Sequence, residues 1–190
     1  MTDLVVNITP QNKGEDLQNE GDNPQNSGVT NNVTITKLPL SFDRVYQQCR
    51  DLVYKLANDG HNRHTLKGII MITRGGLVPG GILGSMMEIK NMRVISFESD
   101  TPLIPNIQNG EICMKYPGTD DDIIEMIFDG QGWLVIDAIS VTGEKLKYLK
   151  RRYNKAIYAT LMTKPAGEDV VDYTVDKVEQ NVWVDFPWEV

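Results

Sequence analysis

A glycine-rich segment at residues 73–80 has the residue types that bind anions. It reads Thr-Arg-Gly-Gly-Leu-Val-Pro-Gly and lies between a short apolar run and a predicted helix. Backbone N–H groups at such a turn can point at one anion, with help from the helix N-terminus. Arg74 adds a planar cation that suits phosphate oxygens. The pattern fits either a phosphate-binding loop or a purely structural turn.

A second segment, residues 137–145, also follows an apolar run and leads into a predicted helix. Asp137 stands where a strand should end, and its carboxylate could accept hydrogen bonds from sugar hydroxyls. Thr142 and Gly143 could surround a terminal phosphate with hydroxyl and backbone donors. The alternative is an Asp that simply ends a strand near the start of a helix.

Strands and helices that alternate along the chain must position these two loops. The predicted strands cover residues 68–72, 92–97, 133–136 and 156–162, and the predicted helices cover 41–60, 81–89 and 143–153. This alternation predicts an α/β fold, a three-layer parallel sheet flanked by helices. In such sheets ligands bind at the carboxyl ends of the strands, where both loops would lie.

Three parts of the chain fall outside this pattern. Residues 7–36 are polar and poor in large apolar groups, so we predict a disordered leader over residues 1–36 and a folded domain over 37–190. Residues 98–122 are too long for an ordinary connection, and form either a mobile flap over a site or a flexible surface loop. Residues 181–188 place aromatics around a proline, which predicts a small C-terminal hood rather than another strand.

Composition excludes several classes of protein. The formal net charge of −7 argues against general affinity for nucleic acid or anionic membranes. The two cysteines, Cys49 and Cys113, are far apart and support neither a disulfide framework nor a thiolate metal site. No stretch resembles a signal peptide or a membrane span. We therefore expect a cytoplasmic protein.

Three short strings together resemble one family, the purine phosphoribosyltransferases, and most closely the xanthine-guanine type. Residues 73–80 resemble its pyrophosphate loop, while Lys-Pro-Ala-Gly at 164–167 and Trp-Val-Asp-Phe-Pro-Trp at 183–188 resemble its purine-binding segments. The resemblance runs from about Leu38 to Trp188. It implies the type I phosphoribosyltransferase fold and purine salvage, in which a purine base joins phosphoribosyl pyrophosphate and pyrophosphate is released. It also implies Mg²⁺ and a homodimer or homotetramer.

On the phosphate side, the resemblance implies roles for residues of both loops. Arg74 and Gly75 would bind pyrophosphate, and the Thr73–Arg74 peptide would be cis. Thr142 and Gly143 would bind the 5′-phosphate of the sugar.

On the purine side, the resemblance implies four further roles. Lys164 would donate to the 6-oxo group and so select guanine, xanthine or hypoxanthine over adenine. Trp183 would stack on the base, and the Val184 carbonyl would read its 2-position. Asp185 would reach the magnesium-pyrophosphate group.

The phosphoribosyl motif departs from the family pattern at three positions. Asp137 keeps the first acid, whereas Ala138 and Val141 replace the second acid and the later Asp, and Lys145 replaces a Thr. Lys145 adds a cation that could favour a 5′-phosphate at the helix N-terminus. In the family the later Asp handles a purine proton, and such help is worth ~10²–10⁴ in rate.

These departures leave three interpretations. The chain is a purine salvage enzyme with a weakened site, or a non-catalytic descendant that binds purine nucleotides as a regulatory or interaction protein. The third is that the acids were replaced in the laboratory, although Val and Lys would be unusual choices.

Overall fold

The computed structural model describes residues 3–6, 33–98, 113–115 and 127–189. The strands are β1 Asp3–Val6, β2 Val33–Pro39, β3 Gly68–Ile72, β4 Met92–Glu98, β5 Cys113–Lys115, β6 Trp133–Ser140, β7 Ile157–Thr163, β8 Tyr173–Lys177 and β9 Val182–Asp185. The helices are α1 Phe42–Asn58, α2 Leu77–Met86 and α3 Glu144–Arg152, with a short 3₁₀ turn at Pro165–Gly167. The chain divides into a larger unit, Leu40–Gln180, and a smaller unit of Met1–Pro39 with Asn181–Val190.

The larger unit is built on a six-stranded sheet with the order β5-β4-β3-β6-β7-β8. Five of these strands are parallel and β5 pairs antiparallel with β4 at one edge. Helices pack on both faces. The predicted three-layer α/β fold with a parallel sheet is confirmed, and the carboxyl ends of β3, β6 and β7 lie side by side.

Helix α1 forms where its apolar spacing predicts it. Ser41 caps the N-terminus by accepting a hydrogen bond of 3.1 Å from the backbone N–H of Arg44. One face of the helix is buried, with Val45 and Leu52 fully inaccessible to solvent. Both predicted ends agree with the structure to within two residues.

Helix α2 begins earlier than predicted, at Leu77 instead of residue 81, and ends at Met86. The sequence pattern places Pro79 in the preceding loop. Proline is tolerated in the first turn of a helix, because its missing N–H would have no intrahelical partner there. The correction matters for the site, because the helix N-terminus now directly follows the Arg74 loop.

Alternating residues of the central strands face the two helical layers. Ile70 and Ile72 pack in one buried cluster with Leu146 and Leu149 of α3. On the opposite face a Cβ added to Gly80 of α2 would lie 2.4 Å from Met71 Cγ, so the helix lies directly on the sheet. Strands buried on both faces explain why β3 is a continuous apolar run.

The smaller unit holds a three-stranded sheet with the order β1-β2-β9. β2 pairs antiparallel with β1 and parallel with β9. The predicted hood without a strand is therefore wrong at residues 182–185, where Val182, Trp183 and Val184 have strong β propensity and Pro187 lies beyond the strand. Beyond it, the rings of Phe186 and Trp188 stack with centroids 4.8 Å apart.

Two sequence-based predictions fall largely on residues outside the described ranges. Of the predicted leader, residues 3–6 and 33–36 form strands, so regular structure begins before Lys37, and residues 7–32 lie outside the description. Of the predicted flap, only the end of β4 and the short strand β5 are described. Within the described ranges, the helices are too short or too polar to cross a membrane.

A pair of N-terminal truncations tests the role of β2. Starting the chain at Val33 removes the polar segment and the four-residue edge strand β1, so we expect little change in melting temperature. Starting it at Leu40 also removes the central strand of the smaller sheet, and should lower the melting temperature further by about 5 °C. Hydrogen exchange at residues 182–185 should then become faster. Equal melting temperatures and equal exchange in the two truncations would contradict a stabilising role for β2.

Candidate functional site

The loop after β3 is anchored to the neighbouring strand β4. The backbone N–H of Thr73 donates to the Ile95 carbonyl at 2.9 Å, and the Thr73 hydroxyl donates to Ser96 Oγ at 3.0 Å. The Thr73–Arg74 peptide is cis, as predicted. The Arg74 side chain is exposed at this edge of the sheet. A guanidinium in that position is available to an anion that approaches from solvent.

Two glycines let this loop lie against strand β6. A Cβ on Gly76 would lie 2.3 Å from the Ile136 carbonyl oxygen and 2.7 Å from that of Ile72, far inside van der Waals contact. A Cβ on Gly75 would lie 2.9 Å from Asp137 Oδ1. The predicted pyrophosphate residues and the remaining motif acid are therefore close together in the larger unit.

Asp137 lies inside β6, which extends to Ser140 and thus further than the predicted strand end at residue 136. Its side chain is 8% exposed, and Oδ1 accepts a hydrogen bond of 2.8 Å from the backbone N–H of Ala138. Ala138 is buried at 1% exposure. A position where the family pattern has an acid is thus occupied by a small apolar side chain next to Gly75.

The turn after β6 is shorter than predicted and covers residues 141–143. Val141 and Thr142 are exposed, while Gly143 has φ +76°, a conformation that favours glycine. Lys147 reaches back from α3, with Nζ 3.4 Å from the Thr142 carbonyl. Lys145 is half-buried in the first helical turn. The predicted phosphate residues therefore surround the N-terminus of α3.

Lys164 follows β7 and is buried, with 7% of its surface exposed. Its backbone N–H donates to the Ser140 carbonyl at 2.9 Å, and its ammonium donates to the Gln180 carbonyl at 3.3 Å. Burial lowers the pKa of the ammonium below its usual value, since it loses hydration. Burying an ammonium costs free energy, and a ligand oxygen that accepted a hydrogen bond from it would lower that cost.

Sequence reasoning missed Gln180, which links two of the loops. Its side-chain Nε2 donates to the Val141 carbonyl at 3.3 Å, and its Oε1 accepts from the backbone N–H of Ala166 at 3.1 Å. It lies outside the strings that resemble the family, and a glutamine in a polar segment carries no pattern of its own. Only the three-dimensional structure identifies it.

The other predicted purine residues lie in the smaller unit, on β9. Trp183 is 45% exposed, whereas Val184 is buried. Asp185 forms an ion pair with Lys37, with 3.9 Å between Nζ and Oδ2. Register pairs Trp183 with Lys37 and Asp185 with Pro39. The stacking role of Trp183, the carbonyl role of Val184 and the metal role of Asp185 all stay predictions.

Of the motif positions 137, 138 and 141, only Asp137 offers a carboxylate to a magnesium ion. Mg²⁺ is usually bound through one or two carboxylates together with substrate phosphates. Oδ1 of Asp137 already accepts from a backbone N–H, and Ala138 and Val141 have no side-chain oxygen. In the described part of the chain, no group of three or more His, Cys, Asp or Glu side chains comes together to hold a metal.

Two xanthine-guanine phosphoribosyltransferases are similar in sequence to this chain over 80% of its length. A xanthine-guanine phosphoribosyltransferase of Desulfotalea psychrophila is 34% identical over 152 residues, which is 80% of this chain and 85% of that protein. One of Cereibacter sphaeroides is 30% identical over 151 residues, 80% of this chain and 86% of that protein.

A solved structure agrees with the fold. The purine phosphoribosyltransferase of Pyrococcus horikoshii superposes with a TM-score of 0.63 at 24% identity, and covers 81% of this chain and 95% of that one. No protein-family model matches the chain.

Two glycine substitutions test the contact between the Arg74 loop and β6. Gly76→Ala should destabilise the protein by about 2 kcal/mol or more, because the new methyl group meets backbone oxygens that belong to two central strands. Gly81→Ala is the matched control, since a Cβ there meets open space inside α2. It should be neutral or stabilising by about 0.5–1 kcal/mol. Urea denaturation of both variants measures the difference, and similar stabilities would contradict the proposed contact.

Proposed function

Because the chain belongs to the purine phosphoribosyltransferase family, of the xanthine-guanine type, we propose that it binds a 6-oxopurine nucleotide and forms that nucleotide only slowly. The observation that carries this proposal is the buried Lys164 ammonium at the end of β7, next to the turn after β6 in which Val141 and Thr142 are exposed. The ligands are guanine, xanthine or hypoxanthine with phosphoribosyl pyrophosphate, or the nucleoside monophosphate product.

Lys164 is proposed to select the base. An ammonium donates hydrogen bonds and cannot accept them, so it favours a 6-oxo group over the 6-amino group of adenine. The lowered pKa reflects a desolvated charge, which makes a hydrogen bond from this residue stronger than one made in water. The 6-amino group of adenine would offer that charge no acceptor at the 6-position.

The two loops are proposed to hold the phosphates. Thr142 and Gly143 precede α3, whose N-terminus favours an anion, and Lys145 adds a positive charge in the first turn. Arg74 is exposed beside Gly75 and is proposed to bind pyrophosphate. This assignment of the phosphates uses cations and backbone donors and requires no carboxylate.

For three residues of the smaller unit we propose the roles that the family resemblance implies. The Trp183 ring, which is about half exposed, is proposed to stack on the purine. The Val184 carbonyl is proposed to accept from the group at the 2-position. Asp185, whose carboxylate forms an ion pair with Lys37, is proposed to reach the magnesium-pyrophosphate group of the ligand.

Weak turnover is proposed because Val141 occupies the motif position whose acid handles the proton in the family. When a purine nitrogen bonds to the sugar and pyrophosphate leaves, the nitrogen must lose its proton. Val141 cannot accept it, and Ala138 cannot orient a ribose hydroxyl. These two positions also favour a second candidate function, a nucleotide-binding regulatory or interaction protein that does not catalyse the reaction.

Assembly and location follow from the same proposal. We propose a homo-oligomer, dimer or tetramer, in the cytoplasm, with no nucleic-acid or membrane partner. The net charge of −7 and the pair of cysteines without a CxxC spacing support this setting.

Substitution of Lys164 tests the base selection. Lys164→Met keeps the buried methylene chain and removes the ammonium, so affinity for guanosine monophosphate should fall about 10–100-fold, the value of a charged hydrogen bond. Affinity for adenosine monophosphate should stay low and unchanged. Lys90→Met, an exposed lysine before β4 at the opposite edge of the sheet, is the control. Calorimetric titration gives the affinities, and equal binding by Lys164→Met and the unaltered chain would rule out this role.

Restoring the family acids tests the cause of weak turnover. A variant with Ala138→Asp, Val141→Asp and Lys145→Thr should form nucleotide ~10²–10⁴ times faster than the unaltered chain. Its matched control carries Val141→Asn in place of Val141→Asp, which keeps size and polarity but cannot take a proton. Nucleotide formation from each 6-oxopurine and phosphoribosyl pyrophosphate is the assay.

Two results would contradict this account of turnover. Rapid turnover by the unaltered chain would show that another group handles the proton. Equal rates for the Asp and Asn variants would show that the residue at position 141 is not the acceptor. Neither result would contradict nucleotide binding.

A further inference from the structure

The loops after β6 and β7 contact each other closely along the carboxyl edge of the sheet. The Ser140 hydroxyl donates to the Gly167 carbonyl at 2.7 Å, and a Cβ on Gly167 would lie 2.5 Å from Ser140 Oγ. A Cβ on Gly143 would lie 2.7 Å from Val170 Cγ2. These contacts hold the two loops together where they leave the strands.

Gln180 makes the corresponding link further out, at the exposed part of both loops. Its side-chain amide donates to the Val141 carbonyl and accepts from the Ala166 N–H. Its backbone carbonyl accepts from the Lys164 ammonium. One residue therefore sets the position of the Val141–Gly143 turn, the 3₁₀ turn after β7 and the lysine side chain. Both halves of the amide are used, which a residue with only a donor or only an acceptor could not do.

We propose that Gln180 is a positioning residue that sets the distance between the Lys164 ammonium and the 141–143 turn, so that both bind one nucleotide. The inference rests on the proposed function, since it requires a ligand whose base meets Lys164 and whose phosphate meets the turn. In this proposal Gln180 contacts the protein at both loops and does not contact the ligand. Its effect is confined to ligands that span both loops.

The size of the ligand is therefore the test. In Gln180→Ala, the affinity for inosine monophosphate should fall about fivefold to tenfold, because binding must then also order the two loops. Affinity for hypoxanthine alone and for ribose 5-phosphate alone should change less than about twofold, since each uses one loop. Melting temperature should not change, because Gln180 is exposed and buries little surface.

Two further variants sharpen the comparison. Gln180→Glu keeps an acceptor for the Ala166 N–H but loses the donor to the Val141 carbonyl, so its affinity for inosine monophosphate should lie between those of the unaltered chain and Gln180→Ala. Glu179→Ala, at the neighbouring exposed position, should leave all three affinities unchanged.

The outcomes separate this inference from the proposed function. If the unaltered chain binds none of the three ligands, the proposed function fails and this inference fails with it. If the unaltered chain binds inosine monophosphate and Gln180→Ala binds it equally well, only the inference is overturned. A uniform loss for all three ligands, or a lower melting temperature, would also overturn it, because either would indicate a merely structural role.

Discussion

The close approach of the Arg74 loop to strand β6 is the constraint on which the site depends. Gly76 lies so near the carbonyl oxygens of Ile72 and Ile136 that no side chain fits there. This contact allows α2 to start immediately after the loop, and it brings Gly75 next to Asp137. Parallel pairing of β3 with β6 already places Arg74 and Asp137 at one edge of the sheet, and the glycine contact brings the loop against that acid. The glycine is therefore required by packing between strands as much as by any ligand.

Lys164 is the second group that determines the character of the site. Burial of an ammonium opposes folding, and the lowered pKa reports that cost. The backbone carbonyl of Gln180 offsets part of it. A purely structural position would favour an apolar side chain of similar size, such as methionine, which carries no desolvation cost. Retaining a cation there is understandable if a ligand oxygen provides the remaining hydrogen bonds.

Most of the fold could be predicted from the sequence, because buried parallel strands such as β3 are continuous apolar runs and α1 has a helical apolar period with a cap. The ends of elements were harder to predict. β6 continues through Asp137 to Ser140 because β7 pairs with it at Thr160 and Thr163, which no local pattern reveals. Likewise β9 depends on pairing with β2 from the other end of the chain. The site loops could be predicted from their strings, whereas Gln180 acts through tertiary contacts alone.

A buried alanine at position 138 also avoids a cost that an acid there would bring to folding. Ala138 is almost completely buried against the Arg74 loop, so a carboxylate there would have to be desolvated or hydrogen-bonded. Sites that hold such groups typically lower stability in exchange for activity. A chain that needs only to hold a nucleotide is free of that conflict, since Arg74, Lys145 and Lys164 provide cations and α3 provides an N-terminus without any carboxylate at position 138. Under the proposed function, Ala138 and Val141 therefore remove two groups that the chemistry needs, while the cations and the packing around Ala138 stay in place.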